Sequence, residues 1–231
     1  MDEITIRCSS LGNVMTSDRS GKAMGDTAKT ALDELYIKNT FGRRKVVVTQ
    51  EMSKGIECEE ESISLLTAVN GEFYEKNSTR FHNDFINGEP DIIASDRVID
   101  IKTSWDIFTF GKTESPFTKS GKPTAYGWQL IGYMWLIGRS KATLAYCLVN
   151  TPHHLVEGIR SGIRYKMNVI DGDNDEGYQM QDGLVTLLHE YDDIPKEKRV
   201  RQFDFEMKQE YITAIEQRVE EAREYYKMIQ W

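Results

Sequence analysis

The pattern of apolar and polar residues is most regular in residues 88–104, GEPDIIASDRVIDIKTS. Two β-prone runs, 92–94 and 98–101, are separated by Ser95 and Asp96, which are common turn residues. This pattern predicts a β-hairpin. A loop of only Ser95 and Asp96 gives one register, and a longer loop is the alternative because Ser-Asp is a weaker two-residue turn signal than Asn-Gly.

With the two-residue loop, the hairpin pairs Ile92 with Ile99 and therefore places Asp91 opposite Asp100. Their Cβ atoms would lie about 4.5–5.5 Å apart, which destabilises a pair of like charges unless a cation lies between them. A divalent cation is the natural candidate. Because side chains alternate along a strand, Lys102 would share a face with Asp100. A surface hairpin with scattered charges is the alternative interpretation.

A helix is predicted in residues 54–69, before the hairpin. Ile56, Ile63 and Leu66 lie on one face at helical spacing, and Glu59 points in nearly the same direction. A carboxylate that faces the interior needs a partner, because unpaired acidic side chains are almost never fully buried. Glu59 is therefore a candidate site residue, unless the helix places it at a solvated edge.

The remaining pattern is typical of a single α/β domain that covers residues 1–231, since no repeat or linker divides the chain. Helices are predicted at residues 9–15, 26–35, 126–137, 151–167 and 209–229. Strands are predicted at residues 78–85, 141–149 and 199–207, and a strand or an extended segment at residues 45–49. Residues 171–177 are predicted to form an acidic loop. It is not a calcium loop, because Asp182 stands where a ligating glutamate is required.

The composition is that of a globular protein. Of the 231 residues, 39% are hydrophobic, and no apolar run approaches the ~20 residues of a membrane span. The N-terminus lacks the pattern of a secretory signal. Three separate cysteines, Cys8, Cys58 and Cys147, exclude a full disulfide framework and a four-cysteine metal site made by this chain alone. These features lead us to expect a cytoplasmic protein with reduced thiols and no membrane partner.

The net charge of −8 gives no overall attraction to nucleic acid, so contact with phosphates depends on local basic groups. Residues 108–126 form a long stretch rich in Gly, Ser, Pro and Lys, directly after the strand that carries Lys102. Its length is unusual for a plain connection and indicates a functional segment. Lys112, Lys119 and Lys122 in this segment are candidate phosphate contacts, and a solvated surface is the alternative.

The candidate site combines three carboxylates and one lysine, namely Glu59, Asp91, Asp100 and Lys102. Oxygen ligands of this kind suit Mg²⁺ or Mn²⁺ rather than Zn²⁺. Such ions orient a phosphate, activate water and stabilise charge on a leaving oxygen, so the set suits hydrolysis of phosphodiester bonds. In that reaction Lys102 would hold the attacking water or neutralise charge in the transition state.

The spacing of these residues resembles the PD-(D/E)xK nuclease superfamily. Pro90-Asp91 is followed by Asp100-Ile101-Lys102, with aspartate where many members have glutamate. The resemblance implies a restriction-endonuclease-like core, with a mixed central β-sheet flanked by helices. It also implies that Asp91, Asp100 and the Ile101 carbonyl bind the metal ion.

Two further motifs resemble narrower groups within this superfamily. Gln129 and Tyr133 match the QxxxY element of RecB-type nuclease domains, and their i, i+4 spacing places both on one helix face. A core helix with two hydrogen-bonded polar groups is the alternative for this pair. Gly55 and Glu59 match the Gly-x-x-x-Glu helix of the lambda exonuclease and YqaJ group, in which the glutamate contributes to the metal site.

The N-terminal residues 8–15, CSSLGNVM, resemble the opening of the same group. This resemblance implies that Ser9 or Ser10 contacts a terminal phosphate. Some RecB-type members use a histidine upstream of the first aspartate. His82 is the only candidate in this sequence, and a structural histidine is the alternative. Relatives with an iron–sulfur cluster require four cysteines, so the resemblance does not extend to them.

The resemblance implies a Mg²⁺- or Mn²⁺-dependent DNA exonuclease of phage type, which hydrolyses phosphodiester bonds from duplex ends in recombination or DNA processing. DNA is then the partner. A homo-oligomer, a single-strand annealing protein as a second partner and a phage-encoded origin in a bacterial host are compatible with it.

Two alternatives to this function stay open. One is a structure- or sequence-specific DNA endonuclease with the same fold, and the other is a non-catalytic DNA-binding protein on a nuclease fold. Intact Asp91, Asp100 and Lys102 argue against the non-catalytic form, because an acidic pocket has no use in a protein that only binds phosphates.

Overall fold

The computed structural model describes residues 3–110, 116–119, 121–170 and 175–230. The strands are β1 (Ile6–Arg7), β2 (Phe81–His82), β3 (Ile86–Gly88), β4 (Ile92–Ile93), β5 (Arg97–Thr103), β6 (Thr118–Lys119), β7 (Lys122–Pro123), β8 (Lys141–Cys147) and β9 (Val200–Glu206). The helices are α1 (Cys8–Val14), α2 (Asp26–Phe41), α3 (Gln50–Glu57), α4 (Glu59–Asn70), α5 (Ile107–Phe110), α6 (Ala125–Ile137), α7 (His153–Met167), α8 (Glu176–His189) and α9 (Gln209–Met228).

A four-stranded mixed sheet forms the centre of the structure, with the strand order β4-β5-β8-β9. Strands β5 and β8 are parallel, whereas β4 pairs with β5, and β9 with β8, in antiparallel orientation. A three-stranded sheet, β1-β3-β2, and the small β6-β7 hairpin lie outside it. This arrangement confirms the predicted α/β class with a mixed sheet flanked by helices.

Helices cover both faces of the central sheet, and side-chain alternation along β5 assigns its residues to one face or the other. Ile99 and Ile101 pack with Leu66 of α4 in one apolar cluster. Val98 packs in the other cluster, together with residues of α6. Because alternate side chains share a face, Asp100 follows Val98 toward α6. The polar residues of α6 are therefore within reach of the hairpin.

Helix α6 approaches α1 closely because a glycine lies at the contact. A Cβ atom on Gly132 would lie only 2.7 Å from the Cys8 Sγ of α1, so a larger residue would force the two helices apart. This close packing fixes α6 against the rest of the fold. It thereby fixes the direction of Gln129, one turn earlier on the same helix.

The hairpin has the register that its sequence predicts for a two-residue loop. Ile92 pairs with Ile99, and a backbone hydrogen bond of 2.9 Å joins the residues that flank the loop. The loop therefore consists of Ser95 and Asp96. As predicted, this register brings Asp91 beside the middle of β5.

The prediction of one helix over residues 54–69 is wrong, because two helices, α3 and α4, meet at Cys58. The backbone of Cys58 has φ −100° and ψ 11°, which interrupts the helical path. As a result, Ile56 is 74% exposed, whereas Ile63 and Leu66 are buried. Glu59 is the first residue of α4 and not part of a continuous apolar face.

Other differences are local. Residues 45–49 are exposed and belong to no strand, although three valines gave them high β propensity. Helix α2 is longer than predicted, and α8 was not predicted. The predicted acidic loop falls largely on residues 171–174, which lie outside the described residues.

The three cysteines are free, as predicted, and all three are buried. In the part of the chain that the structure describes, no helix is both long enough and apolar enough to cross a membrane.

Candidate active site

A cleft of about 570 Å³ opens beside the hairpin and contains most of the predicted site. Its walls come from the end of β5, from α3 and the start of α4, and from α6. The predicted residues that line it are Glu59, Asp91, Asp100, Ile101, Lys102 and Gln129. The fold thus gathers residues from positions 59 to 129 around one cavity.

Asp100 is at the base of this cleft, with only 1% of its surface exposed. Its Oδ1 accepts a hydrogen bond from Gln129 Nε2 at 3.2 Å, and its Oδ2 lies 2.6 Å from Lys102 Nζ. Apart from this ion pair with Lys102, Oδ2 accepts no hydrogen bond from the described residues. This buried oxygen retains lone-pair capacity for a cation.

Lys102 is held as an ammonium group. Burial alone would lower the pKa of Lys102, but the attraction and hydrogen bonding of Asp100, together with the attraction of Asp91, outweigh that effect and raise the pKa above its ordinary value. Its Nζ also lies 5.1 Å from the centre of the Tyr126 ring, a position in which a cation–π interaction favours the charged form. Lys102 therefore supplies positive charge and hydrogen-bond donors rather than acting as a base.

Asp91 completes the carboxylate pair. Its Oδ2 accepts a hydrogen bond from the Ile101 backbone N–H at 2.7 Å. Burial, followed by repulsion from Asp100, raises the pKa of Asp91 from 3.8 to about 7. Without an added cation, the site therefore resists a second full negative charge.

This pKa shift predicts how the stability of the metal-free protein depends on pH. A carboxyl group with a raised pKa in the folded state stabilises the fold fully below pH 3.8, and this contribution is lost as pH rises through about 7. Thermal denaturation in EDTA at about pH 5 and about pH 8 should therefore show a larger loss of stability for the wild type than for Asp91→Asn. Equal losses in both proteins would contradict the assigned environment of Asp91.

Glu59 lines the same cleft but is not assembled with the other two carboxylates. Its Oε2 forms an ion pair with Lys76 Nζ at 3.0 Å. Within residues 3–110, 116–119, 121–170 and 175–230, no group of three or more His, Cys, Asp or Glu side chains is arranged to hold a metal ion. Glu59 would have to leave Lys76 to join Asp91 and Asp100 as a third ligand.

The donors that are present fit Mg²⁺ or Mn²⁺ in chemical type. Asp91 and Asp100 provide carboxylate oxygens, and Asp100 Oδ2 has unused acceptor capacity. Among the described residues that line the cleft there is no histidine or cysteine, so the available ligands are oxygens. Such a set suits hard divalent cations.

Gln129 and Tyr133 lie together on α6, as their spacing predicts. Gln129 Nε2 lies 3.0 Å from the Tyr133 hydroxyl, to which it donates, and it also donates to Asp100. Burial, with a smaller effect of Asp100, raises the pKa of Tyr133, so the phenol stays protonated. Gln129 thus orients the Asp100 carboxylate, and the Tyr133 hydroxyl in turn holds the Gln129 amide.

The two N-terminal serines are not among the described residues that line this cleft. Ser9 is exposed on α1, whereas Ser10 lines a second cavity of about 230 Å³. Arg7 and Lys38 line the same second cavity, which gives it a basic character. The structure therefore separates Ser10 from the carboxylate pair and places it in a cavity whose charged lining residues are mostly basic, with Glu34 as the acidic one among the described residues.

The basic loop is described only in part. Lys119 and Lys122 are exposed and face each other across the β6-β7 hairpin. Lys112 lies outside the described residues. His82 is an exposed residue of β2 and is not among the described residues that line the cleft.

Three aromatic residues of the cleft were not predicted, namely Trp105, Tyr126 and Tyr146. Tyr146 is opposite Lys102 in the parallel register of β5 and β8, a contact that depends on tertiary pairing. For Trp105 a signal was present, because it follows Lys102 by three residues and precedes the long basic loop.

The whole structure is similar to that of known nucleases. It matches a phage-related exonuclease from Haemophilus somnus 129PT with 29% sequence identity and a TM-score of 0.71, over 97% of this chain and 94% of that chain. It also matches an alkaline exonuclease, LHK-Exo, from Laribacter hongkongensis with 16% identity and a TM-score of 0.62, over 96% and 88% of the two chains. That exonuclease has also been solved in complex with dAMP.

No protein-family model and no curated protein sequence matches the chain. The structural matches nevertheless confirm the resemblance to the phage exonuclease group that the sequence motifs indicated.

Proposed function

We propose that this chain, which has the fold of the phage-type exonucleases, is a metal-dependent DNA exonuclease that hydrolyses phosphodiester bonds from duplex ends. The observation that carries the proposal is the grouping of Asp91, Asp100 and Lys102 in one cleft. The similarity to the phage-related exonuclease supports it, since that match extends over nearly the full length of both chains.

Mg²⁺ or Mn²⁺ is the proposed cofactor. Asp91, Asp100 and the Ile101 carbonyl would hold the ion, with Glu59 as an additional ligand once it leaves Lys76. When bound, a divalent ion of this type orients the phosphate and supplies positive charge for the reacting oxygens.

The side chains of the protein have distinct tasks in this proposal. The Lys102 ammonium group donates hydrogen bonds to the phosphate or to the attacking water and offsets the charge that develops in the transition state. Asp100 keeps Lys102 protonated and close to the site, since the two groups are 2.6 Å apart. Gln129 holds Asp100 in place through its hydrogen bond to Oδ1. The lysine is thus positioned before substrate arrives.

Contacts with DNA are proposed at two basic regions. Ser10, beside Arg7 in the second cavity, would contact a terminal phosphate. Lys119 and Lys122, together with Lys112, would contact the phosphate backbone without reading sequence. These local groups have to overcome a net charge of −8, so we expect binding to weaken as salt concentration rises.

The biological setting of this activity is also a proposal. An exonuclease of this type would act in recombination or DNA processing, in the cytoplasm of a bacterial host. A single-strand annealing protein would be its partner, and a homo-oligomer its assembled form.

We expect linear duplex DNA to be cleaved in the presence of Mg²⁺ or Mn²⁺. Cleavage should be weak with Ca²⁺ and absent in excess EDTA. The reason is that the described residues that line the cleft offer carboxylate and carbonyl oxygens and no histidine or cysteine, and that the smaller ions impose the tighter geometry on a phosphate. The measurement is the release of acid-soluble nucleotides after the protein is stripped of metal and each ion is restored separately. Full activity in EDTA would rule out the proposed metal chemistry.

A further inference from the structure

Trp105 occupies a fixed position in the cleft, three residues after Lys102. On its N-terminal side, the backbone N–H of Ser104 donates to the end of β8 at 2.8 Å. On its C-terminal side, Asp106 and Thr109 cap the short helix α5. The Thr109 backbone N–H donates to Asp106 Oδ1 at 2.7 Å, and the Asp106 backbone N–H donates to Thr109 Oγ1 at 3.0 Å. The backbone of Trp105 is therefore held on both sides.

Buried polar residues support the Trp105 side chain from within the protein. Lys54, which is fully buried, donates from Nζ to the Trp105 carbonyl at 2.9 Å, and its Nζ lies 6.0 Å from the indole centre and 5.5 Å from the Tyr191 ring centre. The buried His189 ring meets the indole edge-on, with ring centres 4.9 Å apart, and its Nδ1 is 2.9 Å from Thr151 Oγ1.

Because Lys54 and His189 are both buried, they lie on the inner side of the half-buried indole. The opposite side of the Trp105 indole therefore faces the cleft, which Trp105 lines. Burying an ammonium group is costly, and burial accordingly lowers the pKa of Lys54 to about 8. Neither Lys54 nor His189 has a role in the proposed metal or phosphate chemistry, and both contact Trp105.

We propose that Trp105 is a base-stacking residue, on which the nucleobase next to the scissile phosphate lies while its strand is cleaved. The exposed apolar side chains of Met52 and Ile56 line the same cleft, so the base would be enclosed by apolar surface. Tyr126 is less suited to this role, since its ring already faces Lys102 Nζ. The inference rests on the proposed nuclease function and specifies the form of its substrate.

That form is an unpaired strand end. A base within a duplex is stacked between its neighbours and reaches a protein ring only after it is unpaired. Stacking on an indole is tolerant of sequence, because every base has a π face. The cleft would therefore take single-stranded nucleotides of any sequence from an opened duplex end.

The test combines two changes: the removal of the Trp105 indole from the protein and the removal of one base from the DNA. Short single-stranded oligonucleotides, each with one abasic position near one end, are bound in Ca²⁺ to the wild type, Trp105→Leu, Trp105→Phe and Phe108→Ala. Phe108 is the matched control, because it is an exposed aromatic residue outside the described lining of the cleft. Thermal denaturation checks that each variant is folded.

One abasic position is expected to weaken binding to the wild type about 5- to 150-fold, the range for loss of one stacked base. The abasic position should have little effect on the binding of DNA to Trp105→Leu. In Trp105→Phe and Phe108→Ala it should weaken binding as much as in the wild type. An abasic penalty that is equal in the wild type and in Trp105→Leu, or absent from the wild type, would overturn the inference. Hydrolysis of linear duplex by the wild type in Mg²⁺ reports separately on the nuclease function.

Discussion

Replacement of Lys102 by alanine is expected to reduce the rate of DNA cleavage by about 100- to 1,000-fold while leaving the protein folded and able to bind DNA. The Lys102 ammonium group is positioned 2.6 Å from Asp100 and is only partly exposed, so its charge acts at short range within the cleft. Its largest contribution arises where negative charge increases, which is in the transition state rather than in the bound substrate.

The measurement is kcat/KM on linear duplex, together with the Kd for the same DNA. Lys141→Ala is the matched control, because Lys141 is exposed at the opposite end of the same parallel pair, where it aligns with Arg97. Cleavage by Lys102→Ala at the wild-type rate would show that the active site has been assigned to the wrong residues.

The second large effect is expected from Asp100→Asn, which should abolish metal-dependent cleavage. The substitution keeps the shape of the side chain but removes the charge that holds the pKa of Lys102 high. It also removes the carboxylate whose Oδ2 is buried and has acceptor capacity for a cation. Both the proposed metal ion and the ammonium group would therefore lose their main counter-charge.

Calorimetric titration with Mn²⁺ and the cleavage assay measure the two losses separately. Asp96→Asn is the control, because Asp96 belongs to the same hairpin but is exposed in the loop and contacts Arg97. If Asp100→Asn binds Mn²⁺ and cleaves DNA as the wild type does, Asp100 is not a ligand.

The hairpin could be predicted from sequence because its determinants are local. Alternating side chains and a two-residue turn of Ser95 and Asp96 suffice to bring Asp91 beside Asp100, and the structure has this register rather than that of a longer loop. The i, i+4 spacing of Gln129 and Tyr133 is likewise a property of one helix, and their hydrogen bond has the expected partners. The hairpin and the Gln129–Tyr133 pair could therefore be predicted, because each depends on a short stretch of chain.

The environment of Glu59 could not be predicted in the same way. Its partner, Lys76, lies beyond the end of α4 in a stretch without regular pattern, so the ion pair depends on how that stretch folds back. The break at Cys58 also changes which side of the chain is buried, and it leaves Ile56 exposed. Helical periodicity assumes a continuous helix and fails when the backbone departs from it.

The support of Trp105 shows the same limit. Lys54 was only the first residue of a predicted helix, and its burial arises from contacts with residues 105 and 191, far apart along the chain. Residues 45–49 lack a distant partner strand. Their three valines favour a strand, but no neighbouring strand pairs with them in the described structure.

The claim that this protein degrades DNA from its ends is tested most directly by comparing two forms of one plasmid. Equal masses of linear duplex and of covalently closed circular duplex are incubated with the protein and Mg²⁺, and the remaining DNA is followed over time. Progressive loss of the linear form with the circles intact is the predicted result. Equal cleavage of both forms would contradict it and indicate an endonuclease, and binding without cleavage of either form would indicate a non-catalytic protein.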